Sequence, residues 1–126
     1  MKKILFIEDE PALQKAVGAV LSGQGYEMLS ALDGEIGAAL AAREHPDLIL
    51  LDLVLPKKDG FGVLEELKKN TETKNIPVII MSNLEGTGDV ERALELGATT
   101  YLVKTNYNLE EIVEKIRGLL QQSDKK

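Results

Sequence analysis

Five short apolar runs constrain this chain more than any other feature. They are Ile4–Ile7, Tyr26–Leu29, Leu48–Leu51, Val78–Met81 and Tyr101–Val103, and their centres lie roughly 22 to 30 residues apart, the length of one strand, loop, helix and loop. Three of them are apolar without alternation, which predicts strands covered on both faces, as in a parallel sheet clad by helices. The second mixes in Glu27 and Ser30 and reads as an edge strand. Between the runs the apolar period becomes helical. Leu13, Ala16, Val17, Val20 and Leu21 form one stripe, with Pro11 in its first turn and Gly23 near its stop. Ile36, Ala39 and Leu40 follow Asp33 as a second, Val63, Leu64 and Leu67 form a third, and Val90, Ala93 and Leu94, closed by Gly97, a fourth. The fifth stripe is Leu109, Ile112, Val113, Ile116 and Leu120, with Asn108 and Glu111 spaced as a capping box. The order βαβαβαβαβα implies a doubly wound α/β fold with a five-stranded parallel sheet and helices on both faces.

A chain of 126 residues holds one such domain, taken here as residues 1–122, with 123–126 as a short polar tail and no room for an effector domain. No apolar run approaches the roughly 20 residues of a bilayer crossing, and the apolar start stops at Glu8, too early for a signal peptide. There is no cysteine, which excludes disulfides and thiolate metal sites. A cytoplasmic protein without a membrane partner is expected. Fifteen Lys and Arg against 21 Asp and Glu give a net charge of −6, which disfavours direct nucleic-acid binding, where phosphate neutralisation dominates affinity.

In an open parallel sheet, ligands bind beyond the carboxyl ends of the strands, where the strand order reverses. The residues just after the predicted strands are Glu8-Asp9-Glu10, Asp52, Ser82-Asn83 and Lys104; the second strand offers nothing obvious. Each has an ordinary reading alone: an Asp or Ser at a strand end is usually a cap or turn residue, and a lone Lys a solvated charge. Their joint placement after four strands is what points to a site. Two carboxylates ~4 Å apart repel by about 4 kcal/mol at an effective dielectric of 20. Lys104 offsets part of that, and an all-oxygen donor set suits a hard ion such as Mg2+.

With these motifs in place, the chain resembles a bacterial two-component response-regulator receiver domain of the stand-alone, chemotaxis-regulator-like kind, almost end to end. The resemblance is carried by Ile7-Glu8-Asp9-Glu10, Leu51-Asp52-Leu53-Val54-Leu55-Pro56, Asp59-Gly60, Met81-Ser82 and Gly97-Ala98 with Tyr101-Leu102-Val103-Lys104. It implies a flavodoxin-like strand order of 2-1-3-4-5. It further implies that Asp52 is the phosphoacceptor, attacking the phosphohistidine of a sensor histidine kinase or phosphotransfer protein. Glu8, Asp9, Asp52 and the backbone carbonyl of Val54 would hold Mg2+, with Mn2+ as a substitute. Ser82 and Lys104 would contact the phosphoryl oxygens, and Tyr101 would turn inward on activation. The fourth helix, fifth strand and fifth helix would then present a switched face to a downstream protein. Such a domain is a signalling module and catalyses only its own phosphorylation and dephosphorylation.

Three features depart from the family's commoner pattern. Thr105 follows Lys104 where proline, with a cis peptide bond, is usual; Glu8-Asp9 stands for a double aspartate; and Val54 and Leu84, beside the phosphoryl site, are apolar and unable to orient an attacking water. The last implies slow loss of the phosphoryl group. Other residues read as ordinary. His45 is a surface histidine in a loop, Lys57-Lys58 and Lys68-Lys69 are solvated charges, Gly34 and Gly37 soften a helix start, and Tyr107 is a loop anchor or part of an output surface. Glu85-Gly86-Thr87-Gly88 reads equally as a plain connection and as a mobile switch loop.

Three other functions fit these residues less well. A flavin-binding electron carrier of this fold class needs a phosphate-cradling Ser/Thr/Gly loop after the first strand, where this chain has Glu8-Asp9-Glu10-Pro11. A metal-dependent hydrolase with an Asp nucleophile needs a second Asp two residues on, where Val54 stands. A degenerate receiver acting as a docking scaffold is disfavoured by the intact Asp52, Ser82 and Lys104.

Overall fold

The computed structural model describes residues 1–84 and 86–124. Strands β1 (Lys3–Ile7), β2 (Glu27–Ala31), β3 (Leu48–Leu51), β4 (Val78–Ser82) and β5 (Thr100–Val103) alternate with helices α1 (Pro11–Gly23), α2 (Gly34–Glu44), α3 (Gly60–Lys69), α4 (Thr87–Glu95) and α5 (Leu109–Asp124). The strands form one parallel sheet in the order β2-β1-β3-β4-β5. This is the doubly wound order expected, and β2 is an edge strand. A short 3-10 turn over Lys104–Asn106 leads from β5 towards α5.

Alternate residues of the strands feed two apolar layers. Ile4, Phe6, Leu48, Leu50, Ile79, Met81 and Leu102 pack with Val17 and Leu21 of α1 and Ile112, Val113, Ile116 and Leu120 of α5. Leu5, Ile7, Ile49, Leu51, Val78 and Ile80 pack with α2, α3 and α4 on the other face. β3 and β4 are buried along their whole length, which is why they lack the alternation of a one-sided sheet.

Helix ends follow the local chemistry. Asp33 and Asp59 accept from the backbone N–H groups of Ile36 and Gly62 and cap α2 and α3. Asn108 and Glu111 exchange reciprocal side-chain bonds, the expected capping box of α5. Gly97, with φ of 110°, turns the chain after α4.

The structure corrects some expectations. The buried face of α2 is Gly34, Gly37, Ala38 and Ala41, whereas Ile36 is 48% exposed and Ala39 is also exposed. Glycine is there for close approach: a Cβ at Gly37 would come within 2.6 Å of Ile7, and one at Gly34 within 2.0 Å of the Lys58 carbonyl oxygen. In α4, Ala93 is buried but Leu94 is 47% exposed. Lys68 is half-buried, donating to the carbonyls of Lys74 and Ile76, with its stem against Gly97; burial pulls its ammonium below the ordinary lysine range. His45 is a surface residue, in a left-handed conformation at the end of α2. Helix α5 reaches Asp124, into the stretch expected as a tail, while Lys125 and Lys126 lie outside the described residues.

Candidate functional site

The chain reverses direction across the sheet between β1 and β3, so the residues following those strands lie side by side. Asp52 directly follows β3, and its N–H donates to the Ile7 carbonyl at 3.0 Å, which seats its carboxyl next to the Glu8 turn. Carboxylate oxygens of Glu8, Asp9 and Asp52 lie within 4.8 Å of one another. Glu8 and Asp52 are buried and Asp9 is exposed.

Lys104, delivered by β5, reaches over this cluster. Its Nζ donates to Glu8 Oε1 and, at 3.0 Å, to Asp52 Oδ2. The Lys104–Thr105 peptide is trans, so the amine meets both acids without the cis bond usual in the family. Burial lowers the Lys104 ammonium, but its bonds to Glu8 and Asp52 outweigh this and hold it above the ordinary lysine range. Burial is also the largest influence on Glu8. Opposed by the Lys104 hydrogen bond and reinforced by the charge of Asp52, it pushes Glu8 up to about 7. The cluster is therefore short of positive charge, with one ammonium against three acids.

The remaining expected residues flank this centre. Val54 N–H donates to Asp52 Oδ1 at 3.3 Å, and its side chain is 61% exposed. Ser82 ends β4, fully buried, in register with Val103, and its Oγ accepts from Leu84 N–H at 3.3 Å. The Tyr101 hydroxyl donates to the Leu84 carbonyl at 2.7 Å, so Ser82 and Tyr101 hold the same short segment. Burial and the charge of Asp89 raise the Tyr101 phenol above its ordinary range. Glu8, Asp9, Asp52 and Lys104 thus meet directly, with Ser82 and Tyr101 joined through Leu84.

The family model described as the response regulator receiver domain matches residues 4–117. The chain belongs to the response regulator receiver family. This receiver is 40% identical over 125 residues to the DNA-binding dual master transcriptional regulator RpaA of Synechocystis, covering 99% of this chain and 52% of RpaA. The chain spans about half the length of such curated transcriptional regulators. Its fold is similar to a CheY-like receiver from Methanospirillum hungatei, with a TM-score of 0.92, 27% identity and coverage of 99% of this chain and 98% of that one. It is also similar to the Mn(2+)-bound form of response regulator Rcp1, with a TM-score of 0.77, 36% identity and coverage of 94% and 91%. The family is a signalling one, which disfavours the flavin carrier.

Sequence reasoning passed over Gln14, and it named Gly60 only as part of the Asp59-Gly60 motif, without its contact. Gln14 is buried in α1 and bonds the backbone around Glu8. Its signal was available: position 14 shares a helix face with Val17 and Leu21, so a polar residue there calls for a partner. Gly60 packs its Cα on the site backbone, since a Cβ there would meet the Asp52 carbonyl oxygen at 2.3 Å, and its N–H donates to the Leu53 carbonyl at 2.8 Å. A tight approach of this sort leaves no mark in hydrophobic periodicity.

Proposed function

We propose that Asp52 is the phosphoacceptor of this receiver, and that it takes the phosphoryl group from a phosphohistidine of a sensor histidine kinase or phosphotransfer protein. An Asp52 carboxylate oxygen forms the bond to phosphorus as the P–N bond breaks, and the electron pair of that bond leaves with the imidazole. The convergence of three carboxylates under the one ammonium of Lys104 supports this reading most strongly. That donor set is all oxygen and carries excess negative charge, so it fits a hard divalent cation. Glu8, Asp9, Asp52 and the Val54 carbonyl would hold Mg2+ or Mn2+, and the Mn(2+)-bound form of Rcp1 supports the choice. When bound, the ion supplies positive charge against the phosphoryl oxygens, where phosphoryl transfer needs it.

The chain's own residues do the rest. Lys104 already touches Asp52 and is placed to follow it onto a phosphoryl oxygen. Ser82, whose Oγ accepts from the Leu84 N–H, donates its hydroxyl hydrogen to a phosphoryl oxygen, and its movement towards that group pulls on Leu84 and so on the Tyr101 hydroxyl. The face carrying α4, β5 and α5 then shifts population towards a second packing that a downstream protein reads. Apolar side chains at Val54 and Leu84 leave the mark slow to hydrolyse.

The test is the intact mass of the protein after incubation with acetyl phosphate and Mg2+. One added phosphoryl group is expected, lost in Asp52→Asn and nearly lost without Mg2+. Unmodified protein under all donors, or equal labelling of Asp52→Asn, overturns the assignment.

A further inference from the structure

Gln14 is only 5% exposed, on the face of α1 that otherwise buries Val17 and Leu21. Its Nε2 donates to three backbone carbonyls: Phe6 at 2.9 Å, Glu8 at 3.1 Å and Ala31 at 3.1 Å. Its Oε1 is buried without a hydrogen-bond partner. An orphaned buried amide oxygen is unfavourable, and an apolar side chain of the same volume would avoid it. The position therefore holds a carboxamide for its N–H groups.

The three carbonyls show what those groups do. The β1–β2 pairing ends at Ile7 and Ala31. Glu8 lies one residue beyond; its N–H donates to Ala31, and its carbonyl finds its donor in Gln14 rather than in a strand. The backbone N–H of Gln14 donates to the Glu10 carbonyl at 3.1 Å. One residue thus grips both ends of the turn Glu8-Asp9-Glu10. The Glu8 side chain also spans this turn, its Oε2 accepting from the Glu10 N–H at 3.2 Å, whereas Glu10 at the N-cap of α1 makes no side-chain capping bond. Holding the Glu8 carbonyl fixes the peptide plane that leads into Asp9, and with it the spacing of the two carboxylates.

We propose that Gln14 is a positioning residue for the acidic cluster, setting the Glu8–Asp9 peptide so that both carboxylates face Asp52 at a spacing suited to a divalent cation. This rests on the cation-binding reading given above.

The experiment uses the whole chain and Mg2+ alone as probe, with affinity from calorimetric titration and stability from urea unfolding in EDTA. Gln14→Met keeps the volume and removes the donors; its Mg2+ dissociation constant should rise about tenfold, the scale of lost support behind a metal ligand. Labelling by acetyl phosphate should recover at saturating Mg2+. Gln14→Arg restores N–H donors and should bring the affinity back towards that of the unsubstituted protein. A Gln14→Met protein that is less stable but binds Mg2+ unchanged overturns the proposal, because the residue would then be structural only. If Gln14→Met does not fold, 15N NMR of the unsubstituted chain decides: its Gln14 carboxamide resonances should move with Mg2+ along the binding isotherm, and resonances that stay fixed overturn the proposal. No Mg2+ binding by the unsubstituted chain overturns the cation-site reading, and the role of Gln14 with it.

Discussion

Helices α2 and α4 cover the same face of the sheet, α2 over β1 and β2, α4 against β5. α2 is seated by the absence of side chains: Gly37 lies on Ile7, and Gly34 lies on the Lys58 carbonyl while its N–H donates to Pro56. α4 is held by contacts that can be exchanged. Among the described side chains of α4, Ala93 is the fully buried one, the Arg92 guanidinium stacks 4.2 Å from the centre of the Phe61 ring, and a Cβ at Gly88 would meet nothing within 4 Å. Steric locking on one side and sparse anchoring on the other give the acidic centre a fixed edge near α2 and a yielding edge near α4. Elements with few buried apolar contacts are the ones that open or shift first.

The contrast can be broken most directly at Gly34. Gly34→Ala should lower the unfolding free energy by about 3 kcal/mol in urea denaturation, since backbone must move to admit the methyl group; an unchanged midpoint would mean that α2 is not locked. Next in size is a pH effect at the fixed edge. The folded-state value of Glu8, about 7, lies above its ordinary 4.5, so the folded protein keeps a proton that the unfolded chain has released. That stability is full below about 4.5 and lost as pH rises through 7. Urea unfolding in EDTA should therefore show a downward slope across this window, flattened in Glu8→Gln. At the yielding edge, Arg92→Ala should cost ~1 kcal/mol or less, with amide exchange accelerated in α4 and not in α2. The smallest effect is expected at Gly88, where Gly88→Ala should stabilise by about 0.5 kcal/mol, because the helix gains propensity and nothing collides.

Most of the sheet was legible because hydrophobic burial writes it directly. Leu48–Leu51 is β3 residue for residue, and the other strands shift by one or two positions at their ends. The centre was legible because parallel topology places strand ends together, so Glu8, Asp9, Asp52 and Lys104 could be assembled from order alone. Contacts made by small or polar groups were harder to read. Apolar periodicity credits Ile36 and Ala39 and gives no weight to Gly34 and Gly37, yet the glycines make the close contact. It likewise passes over Gln14, whose Nε2 reaches three backbone carbonyls, and reads Lys68 as a solvated charge although its ammonium is held by two carbonyls.

Lys104 and Glu8 are 96 residues apart in sequence, and Lys104 and Asp52 are 52 apart. Contacts so distant along the chain close late, because the loop entropy must be overcome before they form. A nascent or partly refolded molecule can hold β1, β3 and their two acids without the ammonium that bridges them. The bridge from Lys104 to Glu8 and Asp52 therefore forms only once β5 has docked beside β4.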